Sequence, residues 1–204
     1  MYSKLPNLII GFHGCDRNVR DQVVLEKKSL KQSVNDYDWL GHGIYFWEQN
    51  LARAKDWAKQ QKRLGRIKDP AVIGAVIDLG HCLNLMDSEF IDLLSTEYKL
   101  LHEELGAIGD EMPKNEGSTE DRLFRKLDCA VIEHLNSRID EDYRRDEATI
   151  EPFDSVRALF TEGPAIYENA GFKTKTHIQI CIRNPNCIKA YFDPLIKNPK
   201  YKMP

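Results

Sequence analysis

The amino-acid sequence predicts an α+β domain in which strands at both ends of the chain enclose a helical middle. Short apolar and β-branched runs occupy roughly the first 85 residues and roughly the last 50. Between them, at about 86–150, apolar residues recur at helical spacing over two longer stretches. A length of 204 residues and a hydrophobic content of 42% suit one domain spanning 1–204, with the helical segment as an insertion.

The first half of the chain predicts four strands, at 8–14, 43–47, 71–78 and 82–85. Residues 18–30 predict a short helix or turn, and residues 33–40 predict a loop. Asn50 is expected to cap a helix that ends near Arg63, because the following segment has one apolar face. The residues on that face are Leu51, Ala54, Trp57 and Ala58.

The insertion predicts two amphipathic helices, over residues 88–105 and from Ser118 onwards. The residues Ser118-Thr-Glu-Asp121 resemble a capping box at the start of the second helix. The apolar stripes must be buried, either against each other and the sheet or in part by docking an acceptor or inhibitor protein. Charged residues at 143–151 predict a loop. The stripes comprise Phe90, Ile91, Leu94, Tyr98, Leu101 and Leu105, and then Leu123, Leu127, Val131 and Leu135.

Three further strands are predicted at 155–160, 176–182 and 187–192. The middle one alternates, so that His177, Gln179 and Cys181 share one face and the opposite face is apolar. A polar face of this kind can line a cleft or simply meet solvent.

Charge and cysteine content narrow the class of protein. The formal net charge of −3 gives no global field that would attract nucleic acid, although a local basic patch is compatible with it. The five cysteines are widely spaced and none forms a C-x-x-C pair, so we expect no metal site. We expect a cytoplasmic protein without a membrane partner, because the first residues lack a signal-peptide pattern and no apolar run is long enough to span a bilayer.

Two features of the N-terminal strands can carry chemistry. His13-Gly14 ends the first apolar strand, where glycine permits close approach to the backbone and histidine can hydrogen-bond a hydroxyl or carbonyl. The segment Gly41-His-Gly-Ile-Tyr-Phe46 brings two glycines to the start of a strand, and Tyr45 with Trp57 could form two walls of a slot for a flat ring. The alternatives are a structural histidine and ordinary core aromatics.

Together with the late polar strand, these segments resemble the ADP-ribosyltransferase superfamily, in its poly(ADP-ribose) polymerase and diphtheria-toxin branch. That branch carries histidine, tyrosine and glutamate on three separate strands. The most specific match is Leu40-Gly-His-Gly-Ile-Tyr-Phe46, and the resemblance covers roughly residues 8–78 and 155–192. It implies split antiparallel β-sheets with flanking helices, and NAD as the substrate. The helical middle is not matched.

The resemblance also implies roles for individual residues. His13 would hydrogen-bond the adenosine ribose, the Gly14 backbone would hold the nicotinamide amide, and Tyr45 would stack on the nicotinamide ring. Trp57 falls near the position of a second stacking aromatic if one residue is inserted. Ser33, Gly43 and Ala54 complete the implied NAD-binding set, which needs no metal.

The chain departs from the family at the glutamate position, where it has Gln179. Glutamine can accept a hydrogen bond from a ribose hydroxyl but carries no charge and cannot act as a base. Glu162 and Glu168 precede this strand, in a segment that recognises the acceptor in the family. Two interpretations stay open for each: it supplies the missing charge, or it is an ordinary loop acid.

The resulting prediction is a mono-ADP-ribosyltransferase that uses a protein or nucleic-acid acceptor and releases nicotinamide. The alternative is a catalytically silent NAD- or ADP-ribose-binding module or a protein-interaction domain. Toxin and defence roles, with an inhibitor or antitoxin protein as partner, enter only by analogy with bacterial relatives of that superfamily.

Overall fold

A seven-stranded sheet lies at the centre of the computed structural model, which describes residues 8–117, 121–195 and 200. Its strand order is β4-β7-β8-β2-β1-β3-β9, and all neighbours are antiparallel except the parallel pair β4–β7. The strands are β1 (Ile9–Asp16), β2 (Ile44–Glu48), β3 (Pro70–Ile77), β4 (Cys82–Asn84), β5 (Asn115–Glu116), β6 (Phe124–Arg125), β7 (Ser155–Phe160), β8 (His177–Ile182) and β9 (Ile188–Phe192). The helices are α1 (Arg17–Val24), α2 (Leu51–Arg63), α3 (Ser88–Ile108) and α4 (Lys126–Arg144).

This architecture confirms the predicted α+β class and every predicted strand, with bounds that shift by a few residues. The sequence predicted split sheets by resemblance, whereas the described strands form one seven-stranded sheet and a separate two-stranded pair, β5–β6, which was not predicted.

The two faces of the sheet bury different cores, because successive side chains of a strand point to opposite sides. The first face packs aliphatic residues and Phe46 against α1 and the C-terminal strand. The second face carries Tyr45 and Trp47 from β2 together with Gln179 and Cys181 from β8, since the register pairs Tyr45 with Cys181 and Trp47 with Gln179. Helices α2 and α4 cover parts of this second face.

Helix α2 begins where the sequence predicted, because the Asn50 side chain accepts a hydrogen bond from the Arg53 N–H at 2.9 Å. The helix then packs directly on β1 at Gly14. A Cβ atom on Gly14 would lie 2.6 Å from the Ala54 carbonyl oxygen and 2.9 Å from a ring carbon of Trp57. Glycine is therefore required at this position for α2 to approach the sheet so closely.

The helical insertion packs on itself and on the sheet. Glu97 of α3 is completely buried, forms an ion pair with Arg138 of α4, whose guanidinium donates two hydrogen bonds to it, and is hydrogen-bonded to His134 Nδ1. The apolar side of α4 covers the second face of the sheet through Ile132, Leu135 and Ile139.

The predicted start of the second helix was wrong. Helix α4 begins at Lys126, and the Asn115 side chain of β5 caps its first turn by accepting hydrogen bonds from the Leu127 and Asp128 N–H groups. Residues 118–120 lie outside the described residues, and Asp121 instead accepts hydrogen bonds from the Gly163 N–H and the Lys173 ammonium. The helix also continues to Arg144, so the loop predicted at 143–151 starts later. No helix within the described ranges has the length and apolar character needed to cross a membrane.

We predict that Gly14→Ala lowers the free energy of unfolding by about 1–3 kcal/mol, because the added methyl group overpacks the contact with α2. Gly106→Ala is the matched control, since a Cβ atom there meets nothing within 4 Å inside α3. That control should be neutral or stabilising by up to about 1 kcal/mol. Urea unfolding of both variants measures the difference, and equal effects would contradict the packing assigned to Gly14.

Candidate active site

The central strands β1 and β2 separate soon after they pair. Their register joins Gly11 to Glu48 and Phe12 to Trp47, and it does not continue to His13 and Phe46 or to Gly14 and Tyr45, which would be the next pair with main-chain hydrogen bonds. Strand β1 stays fully paired with β3 on its other side, through Asp16. The sheet therefore contains an opening between Gly14 and Tyr45, which we call the β1–β2 opening.

Main-chain polar groups of Gly14 face this opening. The Gln49 N–H donates to the Ile10 carbonyl, so Ile10 and every second residue after it direct their main-chain groups towards β2. Gly14 follows this alternation, so its N–H and C=O point towards β2. The pairing of β1 with β2 ends at Phe12, before these groups are reached. These two groups form one donor and one acceptor, the pattern that a primary carboxamide complements.

His13 closes one side of the opening. Its Nδ1 lies 2.8 Å from the Tyr45 carbonyl oxygen, which can only accept, so Nδ1–H donates. Burial lowers the pKa of His13 and the hydrogen bond to Tyr45 offsets part of that shift, so the ring is neutral at pH 7. In this tautomer Nε2 is an acceptor available to a donor such as a hydroxyl. The ring itself lies against Phe46 on the first face, with centroids 5.9 Å apart.

The Tyr45 side chain lies on the second face, opposite to the His13 ring. Its hydroxyl donates to the Gly41 carbonyl at 2.6 Å and accepts from the Leu40 N–H at 2.8 Å. Both bonds fix the glycine-framed loop, and burial raises the pKa of the phenol well above its usual value. The hydroxyl is therefore structural, and the partly buried ring is the part of Tyr45 that a ligand can contact.

Ser33 and Gly43 support the loop that precedes β2. Their main chains exchange two hydrogen bonds, of 2.8 and 3.0 Å, and the Ser33 hydroxyl accepts a bond from Asn35. A Cβ atom on Gly43 would lie 2.5 Å from the Cys181 Sγ. In the structure Ser33 and Gly43, which the sequence predicted to bind NAD, fix the backbone of this loop. Ala54, also predicted, is fully buried on the side of α2 that faces the sheet.

An aromatic cluster lies beside Tyr45 on the second face. The Trp47 ring contacts Trp57, the residue that the sequence suggested as a second stacking aromatic, with ring centroids 5.8 Å apart. It also contacts His177, with centroids 6.4 Å apart. The Arg53 guanidinium lies 5.6 Å from the centre of the Trp47 ring. Sequence reasoning missed Trp47 and Arg53, although the strand phase that selects Tyr45 also places Trp47 on the same face.

Three buried polar atoms of this cluster have no hydrogen-bond partner among the described residues. They are Trp47 Nε1, Arg53 Nε and His177 Nε2. His177 Nδ1–H donates to the Lys175 carbonyl, so its Nε2 is an acceptor, while the other two atoms are donors. Buried polar groups normally find partners, and an unpaired group costs about 1–3 kcal/mol. The cluster is therefore suited to receive a polar ligand or water.

Gln179 occupies the centre of this face. It is partly buried on β8 between Trp47 of β2 and Ala158 of β7. Its amide forms no hydrogen bond within the described part of the chain, which leaves both donor and acceptor available to a ligand.

Glu162 is not the free carboxylate that the sequence suggested. It is buried, 7% exposed, and pairs with the Arg53 guanidinium at 2.6 Å and with the Lys175 ammonium at 3.0 Å. Burial alone would raise the pKa of Glu162, but the bonds from Lys175 and Arg53 outweigh burial and lower it. The carboxylate is thus ionised, yet two cations neutralise its charge. Glu168 is exposed and unpaired within the described residues.

The structure thus brings the predicted residues together in part. The Gly14 main chain, the His13 ring and the Tyr45 carbonyl meet at the β1–β2 opening, and the Tyr45 ring shares the adjoining face with Gln179 and Trp57. Ser33, Gly43 and Ala54 lie around it as scaffold. Glu162 belongs to a separate ion cluster anchored on α2.

The chain belongs to the family of the uncharacterized protein MJ0359 of Methanocaldococcus jannaschii. The two sequences are 31% identical over 198 residues, which covers 87% of this chain and 83% of the archaeal protein. No protein-family model matches the chain, and no solved structure matches it.

The ion cluster predicts a pH dependence of stability. The folded-state pKa of Glu162 lies below its unfolded value of about 4.3, so its stabilisation is complete above that value and is lost as pH falls through the folded pKa. Glu162→Gln should lower the free energy of unfolding by about 1–3 kcal/mol at pH 6, because Arg53 is left buried without its charged hydrogen-bond partner. The cost should shrink towards pH 3.

Urea unfolding at pH 6, 5, 4 and 3 measures this trend. Glu168→Gln makes the same change at an exposed acid, and its free energy of unfolding should equal that of the wild type at every pH. A constant offset between wild type and Glu162→Gln across the series would show that the ion pairs do not depend on ionised Glu162.

Proposed function

We propose that the chain is a mono-ADP-ribosyltransferase with an ADP-ribosyltransferase-like fold, which binds NAD at the β1–β2 opening. The observation that carries this proposal is the interruption of the β1–β2 ladder, which leaves a carboxamide-binding pair of main-chain groups at Gly14 beside the Tyr45 ring. The three strands that bear His13, Tyr45 and Gln179 are also neighbours in the sheet, in the order β1, β2, β8.

The geometry suggests how each group would act on NAD. The Gly14 N–H and C=O would pair with the nicotinamide carboxamide, and the Tyr45 ring would lie against the nicotinamide ring. The neutral His13 ring would accept a hydrogen bond from a ribose hydroxyl through Nε2. A ligand seated in the opening would contact groups from both faces of the sheet, which accommodates the opposite positions of the His13 and Tyr45 side chains.

In the transfer step, the bond between nicotinamide nitrogen and the ribose anomeric carbon breaks, and nicotinamide leaves with the electron pair. An acceptor nucleophile then forms a bond to that carbon and loses its proton. The ribose is cationic in the transition state, so a nearby negative charge accelerates the reaction. Gln179 can orient a ribose hydroxyl but supplies no charge, which limits the chain to slow transfer of single ADP-ribose groups.

A second candidate is a binding module that holds NAD or ADP-ribose without turnover. It is favoured by the electrostatics of the second face, where Gln179 is neutral and the charge of Glu162 is offset by Arg53 and Lys175. Nicotinamide release by the purified protein separates the two candidates.

The NAD site itself is tested by calorimetric titration. We predict that His13→Ala weakens NAD binding by about 1–3 kcal/mol, because a hydrogen bond to a buried ligand is lost. His42→Ala is the matched control, since His42 lies in the glycine-framed segment that contains Tyr45 but contacts Glu133 of α4. The affinity of this variant for NAD should stay within about twofold of the wild-type value.

Tyr45 is probed by a graded pair of substitutions in the same titration. Tyr45→Phe keeps the ring and should retain most of the affinity, whereas Tyr45→Ala should lose about 1 kcal/mol or more of stacking. Unchanged affinity in folded His13→Ala and Tyr45→Ala would place NAD elsewhere or nowhere on this chain.

The chemical role of Gln179 is tested by nicotinamide release at saturating NAD. Gln179→Ala should lower the rate with little change in NAD affinity, because the lost bond matters mainly in the transition state. Gln179→Glu should retain or raise the rate, since it restores a charge near the developing cation. If Gln179→Ala matches the wild type and Glu162→Gln is inactive, the charge comes from the ion cluster instead. If the wild type releases no nicotinamide, the binding module is correct.

A further inference from the structure

Basic residues concentrate on helix α2 and the segment after it. Residues 51–68 contain seven lysines and arginines against a single acid, Asp56, in a chain whose formal net charge is −3. The whole-chain balance therefore hides a strongly positive surface, which sequence analysis did not identify. A local cluster of this kind is the electrostatic feature that attracts a polyanion.

Four of these cations line an open cleft of about 1080 Å³ between α2 and the residues that lead into β8, namely Arg53, Lys59, Lys62 and Arg63. The cleft extends along α2 from Arg53 to Arg63, a distance of about 15 Å along the helix axis. Lys175 contributes from the opposite wall, so cations flank the cleft on both sides. Asp56 is the acid that lines it.

Three of these cations are available to a ligand. Arg53 and Lys175 are both engaged by Glu162 at the inner end of the cleft. By contrast, Lys59, Lys62 and Arg63 form no salt bridge with any residue that the structure describes, and all three are exposed. The outer part of the cleft thus carries uncompensated positive charge.

The far wall of the cleft continues into a loop with exposed aromatic residues. Hydrogen bonds from the Ile166 N–H to the Phe172 carbonyl and from the Thr174 N–H to the Pro164 carbonyl close this loop into a hairpin. At its tip Tyr167 is 61% exposed and Phe172 is 65% exposed. Thr174, at the base of the hairpin, lines the cleft, so one element joins the aromatic tip to the basic wall.

We propose that the cleft between α2 and this hairpin binds a single-stranded nucleic acid, with phosphates on Lys59, Lys62 and Arg63 and bases on Tyr167 and Phe172. A basic groove that follows the backbone, combined with aromatic side chains that stack on unpaired bases, is the arrangement that single-strand binding requires. The proposal goes beyond ADP-ribosyl transfer and does not depend on it, because it concerns a different surface.

Other anions fit the cleft less well. A free phosphate would occupy only a small part of its length, and neither a phosphate nor an acidic peptide would use the exposed aromatic tip. A duplex keeps its bases stacked on each other, so it would contact the cations without the aromatic residues.

The test is fluorescence anisotropy with a labelled oligonucleotide of about a dozen nucleotides, as single-stranded RNA, single-stranded DNA or the matching duplex, without NAD. Lys59→Gln/Lys62→Gln/Arg63→Gln should weaken single-strand binding at least tenfold and lower the slope of log affinity against log salt by about two. Tyr167→Ala/Phe172→Ala should weaken binding at least fivefold and leave that slope unchanged.

Lys27→Gln/Lys31→Gln/Lys99→Gln is the control, because it makes the same charge change at exposed lysines outside the cleft and should bind within twofold of the wild type. The proposal is overturned by absence of single-strand binding at low salt, by equal losses in the control, or by tighter binding of the duplex. Equal competition by polyglutamate would assign the cleft to an acidic protein instead. Since no arm uses NAD, these outcomes are separate from those that test the NAD site.

Discussion

The interruption of the β1–β2 ladder is the constraint on which the site depends. A continuous ladder would pair Gly14 with Tyr45 and consume the main-chain groups that now face the opening. Instead the His13 side chain satisfies the Tyr45 carbonyl, so the strands can separate at small energetic cost. One imidazole thus stabilises the gap and keeps its second nitrogen for a ligand.

The opening persists because neighbouring elements fix both of its edges. On one side, α2 packs so closely on Gly14 that β1 cannot move towards that helix, while β3 pairs with the whole length of β1. On the other side, the Tyr45 hydroxyl ties the glycine-framed loop to β2, and β8 pairs with β2 from Ile44 to Trp47. The site is therefore held by packing and hydrogen bonds that form without a ligand, which reduces the entropy lost on binding.

Local periodicity was sufficient to predict the strands and the start of α2, because strand alternation and an Asn cap act over a few residues. The start of α4 could not be predicted from Ser118, because Asp121 bonds to Gly163 and Lys173, which lie more than 40 positions away in sequence. The pairing of Glu162 with Arg53 spans 109 positions, and no sequence pattern indicates it. The strand patterns correctly placed His13, Tyr45 and Gln179 on strands, but the contacts around these residues come from distant parts of the chain and could not be predicted.

The charge distribution connects the two proposed surfaces. A cationic transition state beside Gln179 would receive little stabilisation from Glu162, since the charge of this buried carboxylate is offset by two basic residues. Those same basic residues, Arg53 and Lys175, lie at the inner end of the α2 cleft, where they line it. An anionic ligand drawn along the cleft would bring its own negative charge towards the second face of the sheet. The cleft and the second face therefore share Arg53, which lines the cleft and also lies over the Trp47 ring, but each proposed ligand would bind without the other.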